Sequence, residues 1–113
     1  MTASGFRRLA LKLPESSEVG HMGHPDFRMG GLIFATLGYP DEGSAMVKLT
    51  PDQQWAFLEA EPDVFAPVEG GWGRRGATHV RLKAARVRSV KLALTLAWRN
   101  LAPRRLAAQV QVW

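Results

Sequence analysis

The chain has 113 residues, 46% of them hydrophobic, which is enough for one domain with one buried core and too few for two. Because it contains no cysteine, disulfide bonds, thiolate metal sites and cysteine nucleophiles are excluded, and a reducing, cytoplasmic location is expected. No apolar stretch approaches the roughly 20 residues that a membrane-spanning helix requires, and residues 1–6 lack the apolar run of a targeting segment, so we expect a soluble protein.

The charged residues are distributed unevenly along the chain. The formal net charge is +5, from 15 Lys and Arg against 10 Asp and Glu. Residues 1–69 hold all ten acids and five of the bases, whereas residues 70–113 hold ten bases and no acid, so the two parts carry −5 and +10. This asymmetry indicates either a polyanionic partner or two parts of one fold that neutralise each other.

A first helix is predicted near the N-terminus. Phe6, Leu9 and Leu13 recur at the i, i+3, i+7 spacing that places side chains on one side of a helix. Pro14 lacks a backbone N–H donor and is expected to end this helix.

A run of strands follows the first helix. Gly30-Gly31 predicts a hairpin turn between the strands Asp26–Met29 and Leu32–Leu37, since glycine adopts the positive φ angles of tight hairpins. The segment 38–43, which is rich in Gly, Pro and acidic residues, predicts a turn, and 45–49 predicts a further strand.

A second helix is predicted to begin at Thr50 and to end before Pro62. Thr50 is a good N-cap and Pro51 suits the first helical position. Gln54 is the expected side-chain partner of Thr50 in a capping box. The apolar side of this helix is predicted to consist of Trp55, Phe57 and Leu58.

The segment 70–76, with the sequence GGWGRRG, is a glycine-rich loop. It matches neither the dinucleotide-binding fingerprint nor the P-loop, and a strand rather than a helix is expected after it. We therefore predict a flexible hairpin that presents Arg74 and Arg75, with Trp72 anchoring the loop; stacking of Trp72 on a base is the alternative. Arginine suits phosphate and guanine because its planar guanidinium donates paired hydrogen bonds, and a solvated turn is the alternative.

The segment after this loop has the alternation of a half-buried strand. Between residues 78 and 83, Val80 and Leu82 point to one side. The other side is basic and consists of His79, Arg81 and Lys83.

The last long element is a helix predicted over 86–101, with Pro103 ending it. Its apolar stripe comprises Val87, Val90, Leu94, Ala97, Trp98 and Leu101. A flanking side carries Arg88, Lys91, Thr95 and Arg99.

The residues at the start of this helix are unfavourable for helix stability. Arg86 and Arg88 lie in the first turn, where the helix dipole disfavours cations by a few tenths of a kcal/mol each. Ala84 and Ala85 are poor caps. A functional role of the charges is therefore favoured, and sequence drift is the alternative.

Residues 1–106 are predicted to form a single domain, followed by a C-terminal tail at 107–113 that is either a short strand or disordered. The order of helix, strands, helix, strand and helix predicts an α+β fold in which helices pack on an antiparallel sheet.

No metal or cofactor site is predicted. His21 and His24 lie three residues apart and Asp26 is close, a donor set that zinc or iron can use. Such spacing brings side chains together on a helix rather than on the strand expected here. A structural role of both histidines is therefore favoured over metal binding.

Enzyme activity is not expected either. The acidic residues at 41–42 and 59–63 are not surrounded by apolar residues, as a catalytic acid would be. The serines at 4, 16, 17, 44 and 89 lack the glycine pattern of a nucleophile elbow.

The basic residues of the C-terminal part are the remaining candidates for a function. If the hairpin and the last helix are neighbours, their cations form one continuous positive stripe that suits a phosphate backbone. The predicted nucleic-acid-binding residues are Arg74, Arg75, Arg81, Lys83, Arg86, Arg88, Lys91 and Arg99.

Several short segments resemble the MmcQ/YjbR family in their order and spacing, over residues 6–106. These are FRRLAL at 6–11 with LPE at 13–15, HMGHPDFR at 21–28, IFATL at 33–37, MVKLTP at 46–51, GWG at 71–73, and AWR at 97–99 with AP at 102–103.

The resemblance implies an α+β fold with an antiparallel sheet in a double-wing arrangement, and it implies DNA binding. Two departures shift the expected contact surface toward the C-terminal hairpin and helix. Leu32 stands where members often have lysine, and Ala85-Arg86 stands where members often have acids. The alternative function is a protein-interaction adaptor that docks an acidic partner through the same cations.

Overall fold

The computed structural model describes residues 1–20 and 24–111 of the chain. Its strands are β1 (Ser16–Val19), β2 (Asp26–Met29), β3 (Leu32–Leu37), β4 (Ser44–Lys48), β5 (Phe65–Pro67) and β6 (Ala77–Arg81). They form one sheet in the order β1-β2-β3-β4-β6-β5, in which each neighbouring pair is antiparallel. The helices are α1 (Ala3–Leu11), α2 (Pro51–Ala60), α3 (Gly71–Arg74), α4 (Val87–Arg99) and α5 (Arg104–Ala107). The predicted α+β class with helices packed on an antiparallel sheet is confirmed.

Helix α1 forms as its sequence predicts. The Thr2 side chain accepts a hydrogen bond from the Gly5 backbone N–H, which caps the first turn. Phe6 and Ala10 are fully buried, whereas Leu9 is half-buried. The helix thus turns one side toward the sheet and α4.

The hairpin of β2 and β3 is also confirmed. Gly30 and Gly31 have φ angles of 59° and 83°, values that glycine adopts without strain. The two strands keep the predicted bounds, and Phe27 on β2 and Phe34 on β3 are fully buried in the core.

Helix α2 begins at the predicted cap, but its capping box uses a different glutamine. Gln53, and not Gln54, is the third helical residue after Thr50, and it exchanges hydrogen bonds with Thr50. Gln54 instead donates from Nε2 to the Gly73 and Ala77 carbonyls. The predicted apolar side is wrong for Trp55, which is 66% exposed, because the turn that carries Phe57 faces the sheet.

The predicted flexible hairpin at 70–76 is wrong, because this segment contains the short helix α3. A Cβ on Gly73 would lie 1.6 Å from the Val68 carbonyl oxygen, and one on Gly76 would lie 2.0 Å from the Leu49 carbonyl oxygen. These glycines are therefore required by close backbone packing. The loop is rigid at both residues.

Strand β6 ends two residues earlier than predicted. A 3₁₀ turn over Leu82–Ala84 follows Arg81, so Lys83 projects from this turn and not from the face of the strand. Leu82 is buried as expected. His79 is half-buried, and its Nδ1 atom is buried without a hydrogen-bond partner among the described residues.

Helix α4 lies against α1 and strands β3 and β4 and supplies much of the core. Its buried residues are Val90, Ala93, Leu94, Thr95, Ala97 and Trp98. Trp98 is fully buried and donates from Nε1 to the Pro14 carbonyl at 3.0 Å, which joins the end of α1 to α4. The prediction that Val87 lies in the apolar stripe is wrong, since Val87 is 56% exposed.

The segment after α4 folds back on the domain. Pro103 precedes α5, in which Leu106 is buried in the core. Of the predicted tail, residues 107–111 are described and show no strand; they complete α5 and the turns after it. Val112 and Trp113 lie outside the described residues. None of the helices in the described ranges is long and apolar enough to cross a bilayer.

Candidate nucleic-acid interface

All eight cations predicted to bind nucleic acid have exposed side chains. Within residues 1–20 and 24–111, none of them lies within ion-pair distance of a carboxylate; the ion pairs there involve Arg7, Arg28 and Arg105. The hypothesis that the two parts of the fold neutralise each other by direct pairing therefore finds no support at these eight side chains.

The structure divides the eight cations into groups rather than placing them in one stripe. β4 and β6 lie side by side with Lys48 opposite Ala77 and Ser44 opposite Arg81. Arg74 and Arg75 precede the Ala77 end of β6, whereas Arg81 and Lys83 lie at its other end. Four steps of about 3.3 Å along the strand separate the two ends by roughly 13 Å.

The first group lies around α3 and includes a lysine that sequence reasoning missed. Lys48 Nζ lies 5.1 Å from the ring centroid of Trp72, within the range of a cation–π contact. Trp72 is 54% exposed, so the prediction that it anchors the loop is wrong. We call Lys48, Trp72, Arg74 and Arg75 the Trp72 corner.

An open pocket of about 470 Å³ adjoins the Trp72 corner. Its apolar lining includes Pro51, Ala77 and Leu101, and Arg75 stands among its lining residues. Asn100, at the end of α4, donates from Nδ2 to the Lys48 carbonyl and to Gln53 Oε1, so its amide is bound by protein groups. The C-terminal end of α4 therefore lies at this corner.

The second group surrounds the connection between β6 and α4. Arg81 ends the strand, Lys83 lies in the 3₁₀ turn, and Arg86 is the N-cap residue of α4. Arg86 makes no side-chain capping hydrogen bond, and it is the N-cap rather than a first-turn residue as predicted, because the helix begins at Val87. We call these three residues the turn group.

The three remaining predicted residues lie along α4 and differ in their surroundings. Arg88 and Lys91 line a groove of about 830 Å³ between α2 and α4, together with Glu61 and mostly apolar side chains. Arg99 donates from Nη1 to the carbonyls of Ala107 and Val110, so it holds the segment after α4 in place.

The histidine cluster considered for a metal is only partly described. His21 lies outside the described residues. His24 Nδ1 lies 2.9 Å from the Gly38 carbonyl oxygen, and Asp26 pairs with Arg28 at 3.2 Å. In the described part of the chain, no group of three or more His, Cys, Asp and Glu side chains is placed to hold a metal ion.

Lys48 shows what sequence spacing cannot reveal. It lies 24 residues before Trp72, and no periodic pattern links the two positions. Only the pairing of β4 with β6, which places Lys48 opposite Ala77, brings its ammonium over the indole. By contrast, Arg74 and Arg75 were identified because adjacent arginines interrupt a glycine-rich segment.

Comparison with solved structures shows that the fold is shared. One solved structure with this fold is the crystal structure of the Deinococcus radiodurans protein DR2400, a DUF419 domain. It superposes on this chain with a TM-score of 0.73. The match covers 96% of this chain and 86% of that chain at 16% sequence identity. Comparison with curated proteins gives no match.

The YjbR family model matches residues 11–100. This range contains all six described strands and the helices α2, α3 and α4. The order of the short family-like segments between Leu13-Pro14 and Trp98 thus reflects common descent. The chain belongs to the YjbR family.

Proposed function

We propose that the protein is a non-enzymatic DNA-binding module that contacts phosphates through the Trp72 corner and the turn group. The observation that carries this proposal is that these cations have no carboxylate partner in the described structure and that all of them except the half-buried Lys48 are exposed. A cation that is not paired within its own protein is free to replace the counterions condensed on DNA.

The spacing of the two groups suits a polymer better than a small anion. They lie roughly 13 Å apart along β6, which corresponds to about four base pairs of duplex at 3.4 Å each. One phosphate ion cannot reach both groups, whereas successive phosphates of a strand can. Arg74 and Arg75 are best suited to direct contact, because the closely packed α3 segment carries both, and Arg75 lines the pocket together with Lys48.

A charge-matched comparison tests the proposal. The Arg74→Ala/Arg75→Ala variant removes two cations from the Trp72 corner. The Arg8→Ala/Lys12→Ala variant removes two exposed cations at α1, which packs near the opposite edge of the sheet. Fluorescence anisotropy with a labelled duplex, at low and high salt, measures the affinity of each protein.

We expect the first variant to bind at least tenfold more weakly than the second, since each lost phosphate contact lowers affinity and its salt dependence. Absence of binding by the wild-type protein at low salt would contradict the proposal. Equal affinities of the two variants would contradict the assignment to the Trp72 corner.

A second candidate function rests on the groove between α2 and α4. Its lining is mostly apolar, with Arg88 and Lys91 on one wall. This chemistry fits an amphipathic helical segment with acidic residues beside its apolar face, as an adaptor would bind. A labelled peptide of that design should bind in the micromolar range and lose binding to Arg88→Glu/Lys91→Glu; no binding at millimolar protein would exclude this candidate.

A further inference from the structure

We infer that the pocket at the Trp72 corner binds an unpaired nucleotide, so that the protein prefers single-stranded DNA to duplex. This inference rests on the proposed DNA binding and specifies the form of DNA that the corner accepts. It depends on four features of the corner: a rigid support, an exposed indole, adjacent cations and an amide that is already bound.

The support under Trp72 is rigid. Gly73, the next residue, is buried against the Val68 backbone, and Gly76 is buried against Leu49. The Gln54 side chain donates to the Gly73 and Ala77 carbonyls, both at 3.0 Å. The backbone that carries Trp72 is therefore closely packed on two sides, so little backbone freedom is lost when a ligand stacks on the indole.

The indole itself is only partly covered, by the Lys48 ammonium that lies over its ring. Large aromatic side chains are usually buried because they stabilise the core, yet Trp72 is 54% exposed. Trp98, at 0% exposure, shows that the core of this chain can accommodate a tryptophan. An exposed, rigidly supported indole is the kind of surface on which proteins stack unpaired bases.

The cations around the indole are placed for the phosphate of the same nucleotide. Lys48 Nζ is 5.1 Å from the ring centroid, and Arg75 lines the pocket beside it. A base stacked on the indole therefore has positive charge within reach of its own backbone. The pocket volume, about 470 Å³, lies within the roughly 300–1,000 Å³ of small-ligand sites.

The pocket offers little that reads the identity of a base. Asn100 contributes a side-chain amide to the pocket lining. Its Nδ2 donates to the Lys48 carbonyl and to Gln53 Oε1, and its Oδ1 accepts from Gln53 Nε2. With this amide bound internally, recognition rests on stacking and charge, which tolerate any base. A base within a duplex has both faces covered by its neighbours, so the pocket requires an unpaired one.

The experiment compares labelled oligo-dT with a duplex of equal length by anisotropy. Trp72→Ala should weaken binding of oligo-dT about tenfold, the usual effect of losing one base stack, and change duplex binding less than twofold. Trp72→Phe should restore most of the lost affinity, because phenylalanine keeps an aromatic face. Trp55→Ala removes an indole of similar exposure (66%) from α2, where it lines neither the pocket nor the groove, and should leave both affinities unchanged.

The outcomes separate this inference from the proposed function. If the wild-type protein binds duplex as tightly as oligo-dT, or Trp72→Ala weakens both equally, the inference is wrong while DNA binding stands. If the wild-type protein binds neither, both are wrong. Oligo-dA and oligo-dC should bind within a few-fold of oligo-dT, and a preference above tenfold for one base would contradict recognition by stacking and charge.

Discussion

Gly76 illustrates how single residues hold the α3 segment in place. Its φ angle is 112°, which L side chains rarely adopt, and a Cβ there would lie 2.0 Å from the Leu49 carbonyl oxygen. The residue thus joins the Trp72 corner to the end of β4 through direct backbone contact. A side chain at this position would separate the two.

Gly76→Ala should therefore lower the free energy of unfolding by about 3 kcal/mol or more, because both backbone strain and a steric clash act against it. Urea unfolding monitored by circular dichroism measures the loss. Gly20→Ala is the control, since no atom of the described residues other than its chain neighbours lies within 4 Å of its Cβ position, and it should change stability by less than about 0.5 kcal/mol. Equal effects of the two substitutions would show that the close contact at Gly76 is not important.

Trp98 joins α1 to the core by one hydrogen bond and a large buried surface. Trp98→Phe removes the donor to the Pro14 carbonyl and leaves unfilled volume, so we expect a loss of about 2 kcal/mol. Trp55→Phe, at an exposed position on α2, should have little effect in the same denaturation assay. A loss below about 0.5 kcal/mol for Trp98→Phe would argue against this role.

At the scale of elements, the start of α4 lacks the capping hydrogen bond and the favourable charge that stabilise a helix N-terminus. Arg86 has the extended backbone of an N-cap residue, with φ of −95° and ψ of 145°, but its side chain makes no capping hydrogen bond. A cation there also opposes the helix dipole. The residue is explained if its charge serves binding rather than folding.

Arg86→Ser separates these two effects. Serine is a good N-cap, so the variant should be more stable by about 1 kcal/mol in thermal or urea unfolding. The same substitution removes one cation from the turn group and should weaken DNA binding. A variant that is more stable and binds DNA as well as the wild-type protein would remove Arg86 from the interface.

Helices and strands that are determined by the local sequence were predictable, whereas those that depend on tertiary contacts were not. Glycines with positive φ determine the β2–β3 hairpin, and hydrophobic spacing determines α4, so both followed from sequence. Helix α3 did not, because Gly73 within it and Gly76 after it are needed for contacts with Val68 and Leu49, which are known only after folding. The exposure of Trp55 was missed because spacing does not show which side of a short helix faces the sheet.

The same limit applies to the candidate site. Within residues 1–20 and 24–111, seven of the predicted cations form no ion pair and no side-chain hydrogen bond, while Arg99 is hydrogen-bonded to the backbone of the segment after α4. Lys48 joined the site only through the pairing of β4 with β6. Sequence thus identified the charges, and topology decided which of them lie near one another.

At the scale of the whole molecule, the positive C-terminal part is not offset by ion pairs among the described residues at the predicted interface. The two ends of β6 carry separate groups of cations, and under the proposed function a strand of DNA along the β4–β6 pair would reach both. Such a contact is electrostatic in origin, so its strength must depend on salt in proportion to the phosphates neutralised.

The most direct measurement of the central claim is the slope of log affinity against log salt concentration for a DNA duplex. Each neutralised phosphate contributes about 0.9 to this slope, so Arg74→Ala/Arg75→Ala should reduce its magnitude by about 1.8 relative to the wild-type protein. The Arg8→Ala/Lys12→Ala variant should keep the wild-type slope. Identical slopes for the wild-type protein and the Arg74→Ala/Arg75→Ala variant would contradict phosphate binding at the Trp72 corner.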